Sequence, residues 1–288
     1  MMERTILAHA KVNLTLDILR RRPDGYHDLE MVMQSISLHD VVTVHAAPGR
    51  GEIVVHAGRE DLPSGPENIA WKAAEAFFQA TGLRSHDVEI TIEKKIPAAA
   101  GMAGGSADGA AVLRALRDLL CPEMPEAALE EIGARVGSDV PFCVHGGTAL
   151  AEGRGERLTD LPPMPECHMV VCKPDFGLST PALFGRVKVD AIGQRPDHAA
   201  MKRALASGDL PGVADALCNV FCEILTDEEW HEVEHIRCVM LENGALNAVM
   251  TGSGPTVFGL FDEEAPAQSA ADALRKEYGQ VFVAEPVG

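Results

Sequence analysis

The stretch that most constrains this chain is Pro97-Ala98-Ala99-Ala100-Gly101-Met102-Ala103-Gly104-Gly105-Ser106-Ala107-Asp108, where Met102 carries the one long side chain. Before it, residues 87–92 read as a strand; after it, a helix from Ser106 carries the apolar stripe Val112, Leu113, Leu116, Leu119 and Leu120. A strand, a small-residue loop and a helix in that order place the loop at a helix N-terminus. Unpaired N–H groups and the positive end of the helix dipole suit an anion there, and residues without bulk let it approach the backbone. No lysine follows the second glycine and the spacing is not G-x-G-x-x-G, so neither of the two commonest nucleotide loops is present. Composition alone leaves a phosphate cradle and a plain helix-capping turn equally open.

Residues 11–18 alternate strictly, with Val12, Leu14, Leu16 and Ile18 on one face and Lys11, Asn13, Thr15 and Asp17 on the other. They predict a half-buried strand whose polar face ordinarily meets water; the other reading is that Lys11 and Asn13, neighbours at i and i+2, project into a cleft. Pro23-Asp24-Gly25 is turn chemistry, and 29–38, 41–45 and 52–56 read as further strands. Asn68 is placed to cap a helix running to Gly82, and 127–136 predicts another, ended by Gly137-Ser138-Asp139. Prolines 162, 163 and 165 mark a connection, so a domain boundary is expected near 155–158. Beyond it, strands at 169–172, 248–250, 256–260 and 281–284 alternate with helices near 181–187, 198–206, 227–241 and 265–278, an α+β pattern.

The 25 basic against 43 acidic residues give a formal charge of −18, which repels a nucleic-acid backbone. No stretch approaches the roughly 20 apolar residues of a spanning helix, and the first residues lack an apolar signal run, so a cytoplasmic protein is expected. The seven scattered cysteines form no C-x-x-C pair and read as reduced core residues.

Several short motifs carry two readings. Thr251-Gly252-Ser253-Gly254-Pro255-Thr256 is a tight connection or an anion-binding turn; Tyr26 and His27 are surface, or a stacking ring and a hydrogen-bonding imidazole; Asp139 is a helix cap or a catalytic carboxylate. His231-Glu232-Val233-Glu234-His235 fits the zinc pattern H-E-x-x-H, but on a helix both histidines fall opposite Val233, Ile236 and Met240 and face solvent, which argues against a zinc hydrolase.

Read together, these segments resemble the GHMP kinases. Ala8-His9-Ala10-Lys11-Val12-Asn13-Leu14 with Arg22-Pro23-Asp24-Gly25-Tyr26-His27-Asp28-Leu29 is similar to the family's opening motif. Pro97 to Asp108 is similar to its P-x-x-x-G-L-G-G-G-S-S loop, Gly137-Ser138-Asp139-Val140-Pro141-Phe142 to the segment with its catalytic aspartate, and Thr251 to Phe258 to its third motif. The resemblance implies a two-domain α+β fold. A domain like the second domain of ribosomal protein S5 would span 1–157 and a ferredoxin-like domain 158–288, with the active site between them. It implies that ATP lies on Pro97, Ala98, Ala99, Ala100, Gly101, Met102, Ala103, Gly104, Gly105, Ser106 and Ala107, with Asn68 and Lys94 on the adenine side and Mg²⁺ bridging the phosphates near Ser106.

The branch resembled implies phosphorylation of the C2 hydroxyl of 4-diphosphocytidyl-2-C-methyl-D-erythritol, on the non-mevalonate route to isoprenoid precursors. Lys11 and Asp139 would be catalytic. Asn13, Tyr26, His27, Thr180, Phe184, Gly252, Ser253 and Gly254 would line the substrate side. The expected partner is a small molecule carrying cytidine diphosphate, with no nucleic acid and no membrane, and the protein a monomer or homodimer. Rival acceptors such as mevalonate or homoserine have no base for Tyr26 and His27 to hold. Met102, Ala103, Ala107 and Gly109 depart from the family's usual leucine, glycine, serine and alanine, and Thr251 stands where serine is common.

Overall fold

The computed structural model describes residues 2–59 and 62–288. In chain order the elements are β1 (Met2–Arg21), β2 (His27–Pro48), β3 (Ile53–His56), α1 (Ile69–Thr81), β4 (His86–Glu93), α2 (Gly104–Leu120), α3 (Glu126–Val136), α4 (Val140–His145), β5 (Thr148–Gly153), β6 (Arg157–Asp160), β7 (His168–Lys173), α5 (Thr180–Arg186), α6 (His198–Ser207), α7 (Leu210–Asp215), β8 (Cys218–Asn219), α8 (Asp227–Glu242), β9 (Asn247–Met250), β10 (Val257–Phe261), α9 (Glu264–Leu274) and β11 (Gln280–Ala284). They divide into two compact units of non-contiguous segments. The first holds the chain up to Ala10, His39–Ala98 and Ala103–Gly146; the second holds Lys11–Leu38, Ala99–Met102 and Gly147–Gly288.

In the first unit, the far half of β2 pairs antiparallel with β4, Val41 opposite Glu93, and β4 takes β3 in parallel. Helix α1 starts where Asn68 Oδ1 accepts the Ala70 N–H at 2.8 Å and stops at Gly82, left-handed at φ 74°. Its buried face, Ala70, Ala73, Ala74, Phe77 and Phe78, packs on α2. Truncating either phenylalanine would cost roughly 3–5 kcal/mol. The close approach depends on small residues of α2. A methyl at Gly109 would sit 2.8 Å from Ile69 Cγ2, and one at Gly105 3.2 Å from Ile69 Cδ1. Ile69 thus fills the space that an alanine at 109 would need, which accounts for the glycine there.

One sequence expectation fails here. Residues 29–38 and 41–45 are not two strands but the single strand β2, which runs through His39 and Asp40 without a break. Asp40 reads as a strand breaker, yet its buried carboxylate accepts the backbone N–H groups of Lys95 and Ile96 and the Lys94 ammonium. A carboxylate satisfied in this way can remain in a buried strand.

The second unit contains a four-stranded antiparallel sheet in the order β11-β7-β10-β9. In chain order α8 lies between β7 and β9 and α9 between β10 and β11, which is the βαββαβ arrangement expected from the resemblance. Both helices pack on the sheet, and β10 is buried along its whole length. Elsewhere in this unit the near half of β2 pairs with β5, Met31 opposite Ala151, and β1 takes the two-residue strand β8 in parallel, Leu16 opposite Asn219. Neither β5, β6, α7 nor β8 shows as a periodic run in the sequence. Among the described residues no helix is long and apolar enough to cross a membrane.

Candidate active site

Along the segment leading into α2 the sign of φ alternates. Ala99, Gly101 and Ala103 are left-handed at 49°, 72° and 58°, while Ala98, Ala100 and Met102 are not. Such alternation turns successive N–H groups to one side and makes a concave nest for an anion. Two of the three left-handed residues are alanines, each costing roughly 1–2 kcal/mol in that conformation, so the backbone shape is kept at a cost. Ala103 then stands at the N-cap of α2 with no side-chain cap and no acidic residue in the first turn, leaving Gly104, Gly105 and Ser106 N–H groups without intrahelical partners. Backbone donors and a bare positive helix end suit phosphate oxygens.

Lys94 emerges from β4 beside this helix start. Its ammonium donates to Asp108 Oδ2 at 2.7 Å and also pairs with Asp40, and the three side chains are 7% exposed or less. Burial pushes the Asp108 carboxyl up to about 7; Lys94 opposes that shift and the Asp40 charge adds to it. Asn68 keeps its place at the N-cap of α1, with Nδ2 donating to Pro63 O. Asp139 occupies the N-cap position of α4, with no capping hydrogen bond from its side chain.

In the second unit the polar face of β1 is the opposite of what an amphipathic strand suggests. Lys11 is 4% exposed, Asn13 and Thr15 are fully buried, and Asp17 is 4% exposed. The Lys11 ammonium donates to Asn13 Oδ1 at 2.6 Å and to Gly101 O at 2.9 Å. Thr251 Oγ1 accepts the Asn13 N–H at 2.9 Å, tying the strand to the 251–256 turn. That turn meets the 99–102 segment backbone to backbone. A methyl on Gly101 would lie 2.3 Å from Thr251 O, and one on Gly252 2.4 Å from Gly101 O, so both positions require glycine. Asn219, on β8, donates to Met250 O and Gly252 O at 2.7 and 2.9 Å and holds the same turn from behind. The structure therefore joins Lys11, Asn13, Gly101, Gly252 and Thr251 in one buried network.

The hairpin tip carries the aromatic group. Tyr26 is exposed, with Arg154 Cζ 5.1 Å above its ring. The His27 imidazole stacks on Phe184 at 5.1 Å, and Phe184 meets Phe221 edge-on at 5.0 Å. Burial, with the charge of Arg21, holds the His27 pKa below its ordinary value, favouring a neutral ring that can both donate and accept. Thr180 and Ser253 share a 2.7 Å hydrogen bond between hydroxyls. Asn219, Asp40 and Arg154 were not singled out from sequence; an asparagine just before a turn of large apolar residues, Val220 and Phe221, was the one available signal for Asn219.

His231 is exposed on α8 and His235 pairs with Glu277 at 3.0 Å, both away from the buried Val233, Ile236 and Met240. All seven cysteines are free.

Comparison with known proteins agrees with this geometry. The GHMP kinases N terminal domain matches residues 68–147 and the GHMP kinases C terminal domain residues 201–280. A 4-diphosphocytidyl-2-C-methyl-D-erythritol kinase of Pelotomaculum thermopropionicum is 45% identical over 97% of this chain and 96% of its own. This chain belongs to the GHMP kinase family, in its 4-diphosphocytidyl-2-C-methyl-D-erythritol kinase branch. A kinase of the same description from Clostridium botulinum is 40% identical over 97% of this chain and 99% of its own. A crystal structure of 4-(cytidine 5'-diphospho)-2C-methyl-D-erythritol kinase superposes with a TM-score of 0.81 at 34% identity and covers the whole of both chains. The α+β, two-part GHMP fold expected from the motifs is therefore the fold of this kinase.

Proposed function

We propose that the protein transfers the γ-phosphoryl group of ATP to the C2 hydroxyl of 4-diphosphocytidyl-2-C-methyl-D-erythritol, releasing ADP and the 2-phosphate, as a monomer or homodimer in the cytoplasm. The observation that carries the substrate is the near full-length identity of 40–45% to kinases of that description. The two family matches fall on either side of residues 155–158, in keeping with sequence domains 1–157 and 158–288, although the compact units interleave and the second also takes in Lys11–Leu38 and Ala99–Met102.

Phosphoryl transfer asks a protein mainly to position the reactants and stabilise charge on the transferred group. In this reading the nest at Pro97, Ala98, Ala99, Ala100, Gly101, Met102, Ala103, Gly104, Gly105, Ser106 and Ala107 holds the ATP phosphates, with Asn68 and Lys94 on the adenine side. The alternating φ and uncapped helix start fit a phosphate chain. Mg²⁺, held by the phosphates and Ser106, would neutralise their charge. Asp139 accepts the proton of the attacking hydroxyl, and the Lys11 ammonium, held by Asn13 and Gly101 O, favours the developing alkoxide. Tyr26, His27, Phe184 and Thr180 recognise the cytidine, while Gly252, Ser253 and Gly254 shape the turn beside the acceptor. Replacing Asp139 with asparagine should lower kcat by about 10²–10⁴-fold with ATP binding retained. An Asp139→Asn variant with near wild-type kcat would remove Asp139 from the base role.

A further inference from the structure

The 97–103 segment must hold its strained backbone with Met102 as its one large buried side chain. Its two ends are anchored by one buried charge cluster. At the entering end, Asp40 Oδ1 accepts the N–H groups of Lys95 and Ile96, the last residues before Pro97. At the leaving end, Asp108 sits in the second turn of α2, in the same helix whose start has no side-chain cap. Lys94 joins the ends, pairing with Asp40 and with Asp108, and its ammonium lies 3.6 Å from where a Cβ of Gly104 would stand.

We propose that Asp40 and Asp108 are positioning residues for the phosphate segment: through Lys94 they clamp the exit of β4 to the start of α2, fixing the distance between the two ends of the nest. Three features support a geometric role. Stability alone does not explain the cluster, because buried ion groups can often be replaced by apolar residues without loss of stability. The cluster carries two carboxylates for one ammonium, and Asp108 Oδ1 has no hydrogen-bond partner among the described residues. Such an arrangement fits a role in holding a defined shape. The donors also come from the backbone immediately flanking the segment, 55 and 56 residues from Asp40 in sequence, so the carboxylate stabilises this junction in particular.

The proposal rests on the reading of residues 97–106 as the phosphate site, and its test does not need turnover. Backbone hydrogen exchange at 97–106 is measured in the whole protein for wild type, Asp108→Ala and Asp108→Asn, together with the equilibrium dissociation constant of a non-hydrolysable ATP analogue. The asparagine keeps a carbonyl acceptor for Lys94, whereas alanine keeps none. Asp108→Ala should exchange at least about tenfold faster at 97–106, leave Val170 and Val171 of β7 unchanged, and weaken the analogue at least about tenfold. Asp108→Asn should recover most of both losses. Unchanged exchange at 97–106 in Asp108→Ala, or an asparagine variant no better than the alanine one, would overturn the clamp. Faster exchange with unaltered analogue affinity would keep the clamp and sink the phosphate-site reading instead.

Discussion

Replacing Gly101 with alanine tests the backbone contact around which the Lys11 network is built. The methyl would lie 2.3 Å from Thr251 O and 2.9 Å from Gly254 N, where neither neighbour is a flexible side chain. Ordinary contact begins at about 3.4 Å, so the 99–102 segment and the 251–254 turn must part by about 1 Å. Alanine at φ 72° costs roughly 1–2 kcal/mol, and overpacking adds roughly 1–3 kcal/mol. Gly208, which ends α6, supplies the control: its φ is 67° and nothing lies within 4 Å of its Cβ position, so Gly208→Ala carries the torsional cost alone. Both variants would be melted and assayed with ATP varied. Gly101→Ala should be the less stable of the two by about 1–3 kcal/mol, a further loss of roughly 2–10 °C. Its kcat/KM for ATP should fall by up to about 10²-fold, since a 1 Å misplacement can cost that much, while Gly208→Ala stays near wild type. Equal melting temperatures, or an unchanged kcat/KM in Gly101→Ala, would refute the argument.

Asn219→Ala leaves Met250 O and Gly252 O without their buried donor and should cost roughly 2–4 kcal/mol in a denaturant titration. Phe184→Leu removes the ring that His27 stacks on and should raise KM for the cytidyl acceptor roughly tenfold or more while leaving KM for ATP unchanged. Burial pushes the Cys167 and Cys172 thiols up to about 12, so at pH 8 roughly one in ten thousand is thiolate. Iodoacetamide at that pH should spare both in the folded protein and label both in 6 M guanidinium, as read by mass spectrometry, with native labelling increasing as the pH is raised towards 10.

The parts of the fold and site legible in the sequence were local. The strand, loop and helix around 97–108 show their order in their composition, and Asn68 and Gly82 mark the two ends of α1 by cap chemistry. The burial of Lys11 and Asn13 was not legible, because a period of two separates the faces of a strand without telling which face is covered; here both are. Asp40 misled for a similar reason. Its partners lie 54 to 56 residues away, and without them a carboxylate in an apolar run reads as an end rather than an anchor. Asn219 sits in a two-residue strand, too short for any pattern to reveal. Joint occurrence of the motifs succeeded where single motifs did not, since each loop alone fits a plain turn.

The most direct test of the central claim is an ATP-coupled assay of the purified protein with 4-diphosphocytidyl-2-C-methyl-D-erythritol, run beside mevalonate and homoserine. The account predicts ADP release with the cytidyl alcohol alone, with one phosphate added at C2 of the product. Turnover of mevalonate or homoserine in preference to it, or none with the cytidyl alcohol, would contradict the assignment.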